Sequence, residues 1–408
     1  MKGLITILLA SVVLGQLGVF HPKPDISIYV HDIVICLIII VGAFRIWKQR
    51  KEKRLIPTIL IPIVWFLSSA LVSLCINAGR ISLPSLFQSS LYLLRFAVYA
   101  GVYVILVMER SNPALLMFGL YASGTALSIA GLFQYILYPN LRNLWYLGWD
   151  THQYRLFSTL LDPNFSGLVI ILTLFLGIFF WEQKKTKVLG VSLILNLISL
   201  YLTYSRGSVL AFIGGITAYI ICRKQWKILV ITIIFVVAFL FLPKPGGSTL
   251  LITRLDSTIA RIGNWKKSIR IISRSPIVGF GFNTLRYVNH EKTPDPSTPV
   301  SKSVAGLDSS ILFLLATTGI MGGVAFSWIV IKATCLYRQE KRLQTLRVIA
   351  ISSAVSTFVH SLFTNSLFYP WIMIWWWVFL AASEITPAPV RQSAVGTEFR
   401  TKRFTFDT

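Results

Sequence analysis

The chain has 408 residues, 55% of them hydrophobic and only 13% charged, with a mean hydropathy of +0.69. A soluble globular protein is about one quarter charged, so a soluble enzyme, a disordered chain and a fibrous repeat are all excluded, and a polytopic membrane protein remains. The net charge of +24 comes from 39 basic and 15 acidic residues. In a membrane protein it is explained first by Lys and Arg in cytoplasmic connections, not by nucleic acid.

The apolar runs are long and continuous, without the ten-residue alternation of an outer-membrane barrel, so the spans are expected to be helical. Twelve are expected, at roughly 3–20, 26–46, 55–76, 89–108, 114–138, 165–181, 188–204, 207–222, 228–242, 309–331, 348–364 and 369–385. The first lacks a small-residue cleavage site before His21-Pro22, and a second span follows at once, so it reads as a helix and not a signal peptide. Every second connection is basic, beginning with Lys48, Arg50, Lys51, Lys53 and Arg54. This places both termini in the cytoplasm and the chain in the cytoplasmic (inner) membrane, with residues 1–242 holding nine spans and 309–385 the last three. The tail, 386–408, is polar and proline-containing, which predicts disorder. Cys36, Cys75, Cys222 and Cys335 lie in or at the ends of apolar runs without ligand spacing and read as small apolar fillers.

Residues 243–308 break the pattern, forming one long external loop with ten Lys and Arg. Loops of this length cross regardless of their charge, so these basic residues call for a separate explanation. Inside the loop, Asp256-Ser257-Thr258 offers a helix start and Pro276 a stop. Between them Ile262, Trp265, Ile269 and Ile272 share one expected face. Lys267, Arg270 and Arg274 fall on the other, suited to lipid headgroups. Arg261 stands at the edge of the apolar face, better placed to reach a buried anion.

Nothing resembles a phosphate-binding glycine loop or a zinc cluster, and the external carboxylates do not pair as a metal site would. No cofactor or metal is expected, and an anionic substrate would have to be neutralised by Arg and Lys. Three further external segments hold candidate residues. Arg155 to Asn164 runs into the sixth span, either as a turn with a solvated Arg or as part of a site. Tyr204-Ser205-Arg206-Gly207 joins spans seven and eight with no room for a loop, so Arg206 either snorkels or serves as a fixed phosphate ligand. Asp308-Ser309-Ser310 opens the tenth span, where Asp308 either caps the helix or acts as a general base.

Taken together, these segments resemble the O-antigen ligase and polymerase superfamily of bacterial envelope glycosyltransferases. Arg155 to Asn164 is similar to the family's Arg-x-x-Gly-Thr-x-x-x-Pro-Asn, with Ser158 in place of Gly. Tyr204 to Gly207 matches Tyr-Ser-Arg-Gly outright. Arg261 and Trp265, then Pro276, Gly279 and Gly281, match Arg-x-x-x-Trp and Pro-x-x-Gly-x-Gly. Ser309, Gly319 and Gly322 match the ligase motif, whose His is Asp308 here.

The resemblance implies an all-α fold of about twelve spans, similar to GT-C enzymes, with a large, partly helical external loop before the last three. It implies transfer or polymerisation of a glycan from an undecaprenyl-diphosphate donor to a glycan or lipid acceptor at the outer face, with inversion. Arg206 and Arg261 would grip the diphosphate and Asp308 would be the base, or His290 in its stead. Arg155, Asn164, Tyr204, Trp265 and Ser309 would line the substrates. A chain-length regulator and a flippase are the protein partners it suggests, besides membrane lipids. Two other classes fit the composition: a lipid-glycan transporter, for which Arg95 and His360 are the nearest intramembrane charges, and a non-catalytic glycan-lipid-binding protein.

Overall fold

The computed structural model describes residues 1–23, 26–48, 55–241, 255–285, 307–336 and 344–385, with residues 255–262 described by their backbone alone. Each of the twelve expected spans coincides with a helix. In chain order these are α1 (Lys2–Val13), α2 (Val30–Lys48), α3 (Leu60–Ile76), α4 (Leu83–Met108), α5 (Pro113–Leu137), α6 (Pro163–Gln183), α7 (Lys187–Leu202), α8 (Arg206–Arg223) and α9 (Lys227–Phe241). The amphipathic α10 (Leu255–Arg274) precedes α11 (Ser310–Cys335), α12 (Gln344–Ser361) and α13 (Pro370–Ile385). Six of them (α2, α4, α5, α6, α8 and α11) are long and apolar enough to cross a membrane by length and composition. Among the described residues this is an all-α membrane protein apart from one small hairpin.

That hairpin corrects the first two boundaries. The first helix, expected to reach residue 20, ends at Val13, and β1 (Val19–Lys23) pairs antiparallel with β2 (Ile26–Tyr29) before α2 begins. Pro22 and the β-branched Val19, Ile26 and Ile28 favour extended backbone there, which hydropathy alone does not register. The tail from 386 onward and His290 lie outside the described residues.

Helix α6 is the centre of the bundle, with every residue from Ser166 to Gly177 buried, as befits a helix apolar on all sides. It packs on α5, α7, α8 and α12. The closest helix pair is α8 with α12, where a side chain on Gly215 would strike Ser356 Oγ at 2.0 Å. Small residues let the two backbones approach, and Ser356 Oγ donates to Ala211 O at 2.8 Å across the seam.

Three polar clusters mark one end of the bundle. Arg45 pairs with Glu109 at 3.0 Å, Thr58 and Tyr103 donate to Glu384, and Arg223, Tyr219 and Thr345 donate to Glu182. They join the ends of α2, α4, α6, α8 and α13 to the starts of α3 and α12, so the basic connections gather at this end. By alternation, the described motif residues gather at the other.

Helix α11 is interrupted. Gly319 has φ +64 and ψ −165, a conformation open to glycine alone, and there the ladder breaks. The segment after α10 fills the gap with its own backbone. Phe280 N–H and Gly281 N–H donate to Ala316 O and Thr317 O, each at 3.0 Å, while Ile320 N–H and Met321 N–H donate to Pro276 O and Ile277 O. Gly279, at φ +68, fits because a Cβ would lie 2.4 Å from the Thr317 carbonyl carbon. The Pro-x-x-Gly-x-Gly segment and the Gly319 break are thus two halves of one joint, braced by Ser73 of α3 and by Asn77 just past its end, which donate to Thr317 O and Gly279 O. Non-helical backbone at this depth is tolerated because protein supplies its hydrogen bonds.

Candidate active site

Three helices begin side by side at the motif-bearing end, each with a side-chain cap. Asp162 accepts from Asn164 N–H at 2.6 Å and from Phe165 N–H to start α6. Ser205 accepts from Ser208 N–H to start α8, and Ser309 from Leu312 N–H to start α11. Their amino ends concentrate positive potential, as an anion site requires.

The turn from α7 to α8 is held from two sides. Tyr204 takes φ +46, and Arg155 donates to the carbonyls on either side of that bend, Thr203 O at 2.9 Å and Tyr204 O at 3.3 Å. Asn164 Oδ1 accepts from Ser205 Oγ at 2.7 Å. Ser208 Oγ reaches Asn164 O at 3.2 Å and His360 Nε2 at 3.4 Å, and His360 Nδ1 meets Ser366 Oγ at 2.6 Å. Arg206 is the first residue of α8, half-buried. Arg155 therefore stands within the scaffold of the Arg206 turn. Tyr204 is buried against Tyr201, and burial raises its phenol well above the ordinary range.

The approach to α6 explains the serine that departs from the family pattern. Ser158 has φ +52, where glycine is at ease. Its hydroxyl donates to Leu127 O at 2.7 Å, and its N–H and that of Phe157 donate to Gln134 Oε1, so tertiary bonds offset the backbone cost.

Asp308 accepts from Asn264 Nδ2 at 2.7 Å, one step before α11. Ser309, 1% exposed, donates to Ser361 O at 3.0 Å and faces the protein interior. Trp265 stacks on Phe363 at 6.2 Å between ring centroids, and Phe363 also lies 3.9 Å from where a Gly207 side chain would begin. The Arg206 turn and the Arg261 helix therefore both approach Phe363, the turn near its Cβ and the helix at its ring, with Arg261 one helical turn before Trp265. The Arg261 side chain, like all of His290, lies outside the described residues.

The expected apolar face of α10 needs correction. Ile269 is 59% exposed, whereas Ser268 is 1% exposed. The helix packs on α11 through a small polar residue flanked by Asn264 and Ile272, since Ser268 Oγ can return its bond to Asn264 O at 2.6 Å. Lys267, Arg270 and Arg274 are exposed, as the sequence predicts.

Beside these caps lies a cavity of about 490 Å³. Asn164 and Asp308 line it, together with Asp150, His152, Asp162, Arg95, Asn283, Asn365, Trp149 and Tyr369. Arg155, Tyr204, Arg206, Trp265 and Ser309 are outside this lining. Aromatic rings close its floor, with Phe368 packed against Phe96, Phe282 and Phe313. Burial pushes the His152 imidazole down to about 4, helped by the Arg155 guanidinium, and burial also raises the Asp162 carboxyl against its two backbone hydrogen bonds.

Sequence reasoning missed Asn264, Asn283 and Asn365, and it weighed Arg95 only as a transport residue. Arg95 pairs with Asp32 at 3.0 Å and lies 5.3 Å above the Tyr29 ring. Asp32 also accepts from Tyr99 Oη at 2.6 Å and Tyr29 N–H at 2.9 Å. The signal was present: two opposite charges, Asp32 in the first turn of α2 and Arg95 midway along α4, seek each other within apolar helices.

Residues 191–327, from α7 into α11, match the family model described as O-Antigen ligase. The stretch holds Tyr204–Gly207, Arg261, Trp265, the glycine joint and Asp308. No curated protein matches the chain. Residues 191–327 are thus similar to the O-antigen ligase family, and the apolar helices make this a multi-pass membrane protein.

Proposed function

We propose that the chain transfers or polymerises a glycan from an undecaprenyl-diphosphate donor onto an acceptor hydroxyl, at the outer face of the cytoplasmic membrane. The observation that carries the reading is the meeting of Gly207 and Trp265 on Phe363, beside the helix that Asp308 introduces. It sets two Arg-bearing backbone segments and one carboxylate around the amino ends of α6, α8 and α11. The basic connections lie at the opposite end, which supports an outward-facing site.

In this reading Arg206 and Arg261 take the donor's diphosphate, aided by the amino end of α8. Fixed positive groups there stabilise the charge that grows on the departing lipid diphosphate. Asp308, oriented by Asn264, accepts the proton of the acceptor hydroxyl as the oxygen attacks the anomeric carbon from the face opposite the leaving group, so configuration inverts. The diphosphate linkage supplies the driving force. Arg155 contributes by holding the Arg206 turn.

The test is transfer by the purified protein in lipid, with polyprenyl-diphosphate glycan and products resolved by size. Arg206→Ala and Arg261→Lys should each lower turnover about a hundredfold, the effect of ~3 kcal/mol at the transition state. Turnover near the parent value in both rejects the assignment. Asp308→Asn separates enzyme from binding protein, since a non-catalytic protein keeps its function with asparagine there.

A further inference from the structure

The charge balance of the cavity differs from that of the turn beside it. Among the described residues two carboxylates line it besides the α6 cap Asp162, whose charge the helix amino end offsets: Asp150 and Asp308. Arg95 is its one lining guanidinium among the described residues, and Asp32 already neutralises it at 3.0 Å. A diphosphate entering here would meet the Asp150 and Asp308 carboxylates, whereas the Arg206 turn next door carries a guanidinium at a helix amino end. Two further residues of the lining carry unmet hydrogen-bonding capacity. The Asn283 amide nitrogen and the Asn365 amide oxygen are buried, and neither has a partner in the protein. Such groups are costly unless something bonds them. A hydroxyl both donates and accepts, so it suits one orphan donor and one orphan acceptor. The volume, about 490 Å³, lies within the range of small-molecule sites.

We propose that this cavity seats the terminal sugar of the acceptor as an uncharged ring, that Asn283 and Asn365 read its hydroxyls, and that its carboxylate walls exclude acceptors bearing a carboxylate or phosphate on that ring. The inference rests on the glycosyl-transfer reading and adds the acceptor's chemical class. It also separates the two substrates in space. The anionic donor head belongs to the Arg206 turn and the neutral acceptor to the cavity, with Asn164 common to both, since it lines the cavity and holds Ser205. Asp308, also in the lining, then faces the acceptor hydroxyl it must deprotonate.

The experiment uses the full-length protein in lipid nanodiscs with polyprenyl-diphosphate glycan. The acceptors are a panel of neutral glycosides, each paired with its C6 uronate. The uronate should be poorer by between about 5-fold and about 1000-fold in kcat/KM, the range of one like-charge contact at about 4 Å from bulk-water to protein-surface dielectric. Asp150→Asn should narrow that ratio. Asn283→Gly, which keeps the φ of +59 at that position accessible, and Asn365→Ala should each raise KM for the neutral acceptor severalfold. Equal use of neutral and anionic acceptors, or KM unmoved in both asparagine variants, overturns the cavity assignment while leaving glycosyl transfer intact. Absence of transfer to every acceptor overturns the transfer reading, and this one with it.

Discussion

Arg155 distinguishes a scaffold from a substrate contact. Replacing it with alanine removes two charge-assisted hydrogen bonds, to Thr203 O at 2.9 Å and Tyr204 O at 3.3 Å, that pin the bend carrying Arg206. Bonds to a charged donor contribute about 1.5–3 kcal/mol each. The site is half-buried, so water replaces part of that, and about 2–4 kcal/mol of turn ordering is expected to go. Loss of order displaces the Arg206 guanidinium, and a shift of about 1 Å in such a group costs on the order of a hundredfold. Arg155→Ala should therefore lower kcat ten- to a hundredfold and lower the thermal midpoint in detergent by several degrees, with Arg155→Lys recovering part of both. The assay pairs steady-state transfer kinetics with a thermal melt of the same preparation. An unchanged melt together with a large rise in donor KM and an unaltered kcat would refute the reasoning, making Arg155 a direct ligand of the donor.

Asn264→Ala should reduce kcat about tenfold with acceptor KM nearly constant, because the Asp308 carboxylate loses its 2.7 Å donor; an unchanged kcat counts against Asn264 as a positioning residue. Gly319→Ala places a Cβ 2.2 Å from Ile277 O at φ +64 and should cost more than about 3 kcal/mol, seen as loss of folded protein in detergent; parent-like stability would contradict the joint. His152 is held neutral down to about 4, below its ordinary value of 6.5, so its contribution is fully present above pH 6.5, falls as pH drops from 6.5 towards 4 and is flat below. At pH 5 the loss is about 2 kcal/mol, and the shift in thermal midpoint between pH 7 and pH 5 should be smaller in His152→Gln than in the parent.

How much of this was legible in the sequence depends on the range of the interactions. Hydropathy located a helix at each of the twelve expected positions, because burial in lipid or protein selects the same long apolar runs. It misjudged α1 and α2, where local extended preference around Pro22 competes with hydropathy. The Tyr-Ser-Arg-Gly turn and the glycine pairs were visible as motifs, yet their partnership was not, since Gly279 and Gly319 are joined by backbone bonds that carry no side-chain signature. The place of Arg155 was hidden for a similar reason, as its partners are carbonyls. The buried side of α10 was misread because periodicity assumes apolar packing, whereas a serine bonding its own helix was the residue that fitted closest.

The interleaving of residues 276–281 with the interruption at Gly319 couples α10 to α11. Four main-chain bonds clamp the strip that follows α10 to the span that Asp308 introduces. The carboxyl end of α10 is thereby tethered to that span. Distance between the Arg261 helix and the carboxylate is then governed by the membrane-embedded framework.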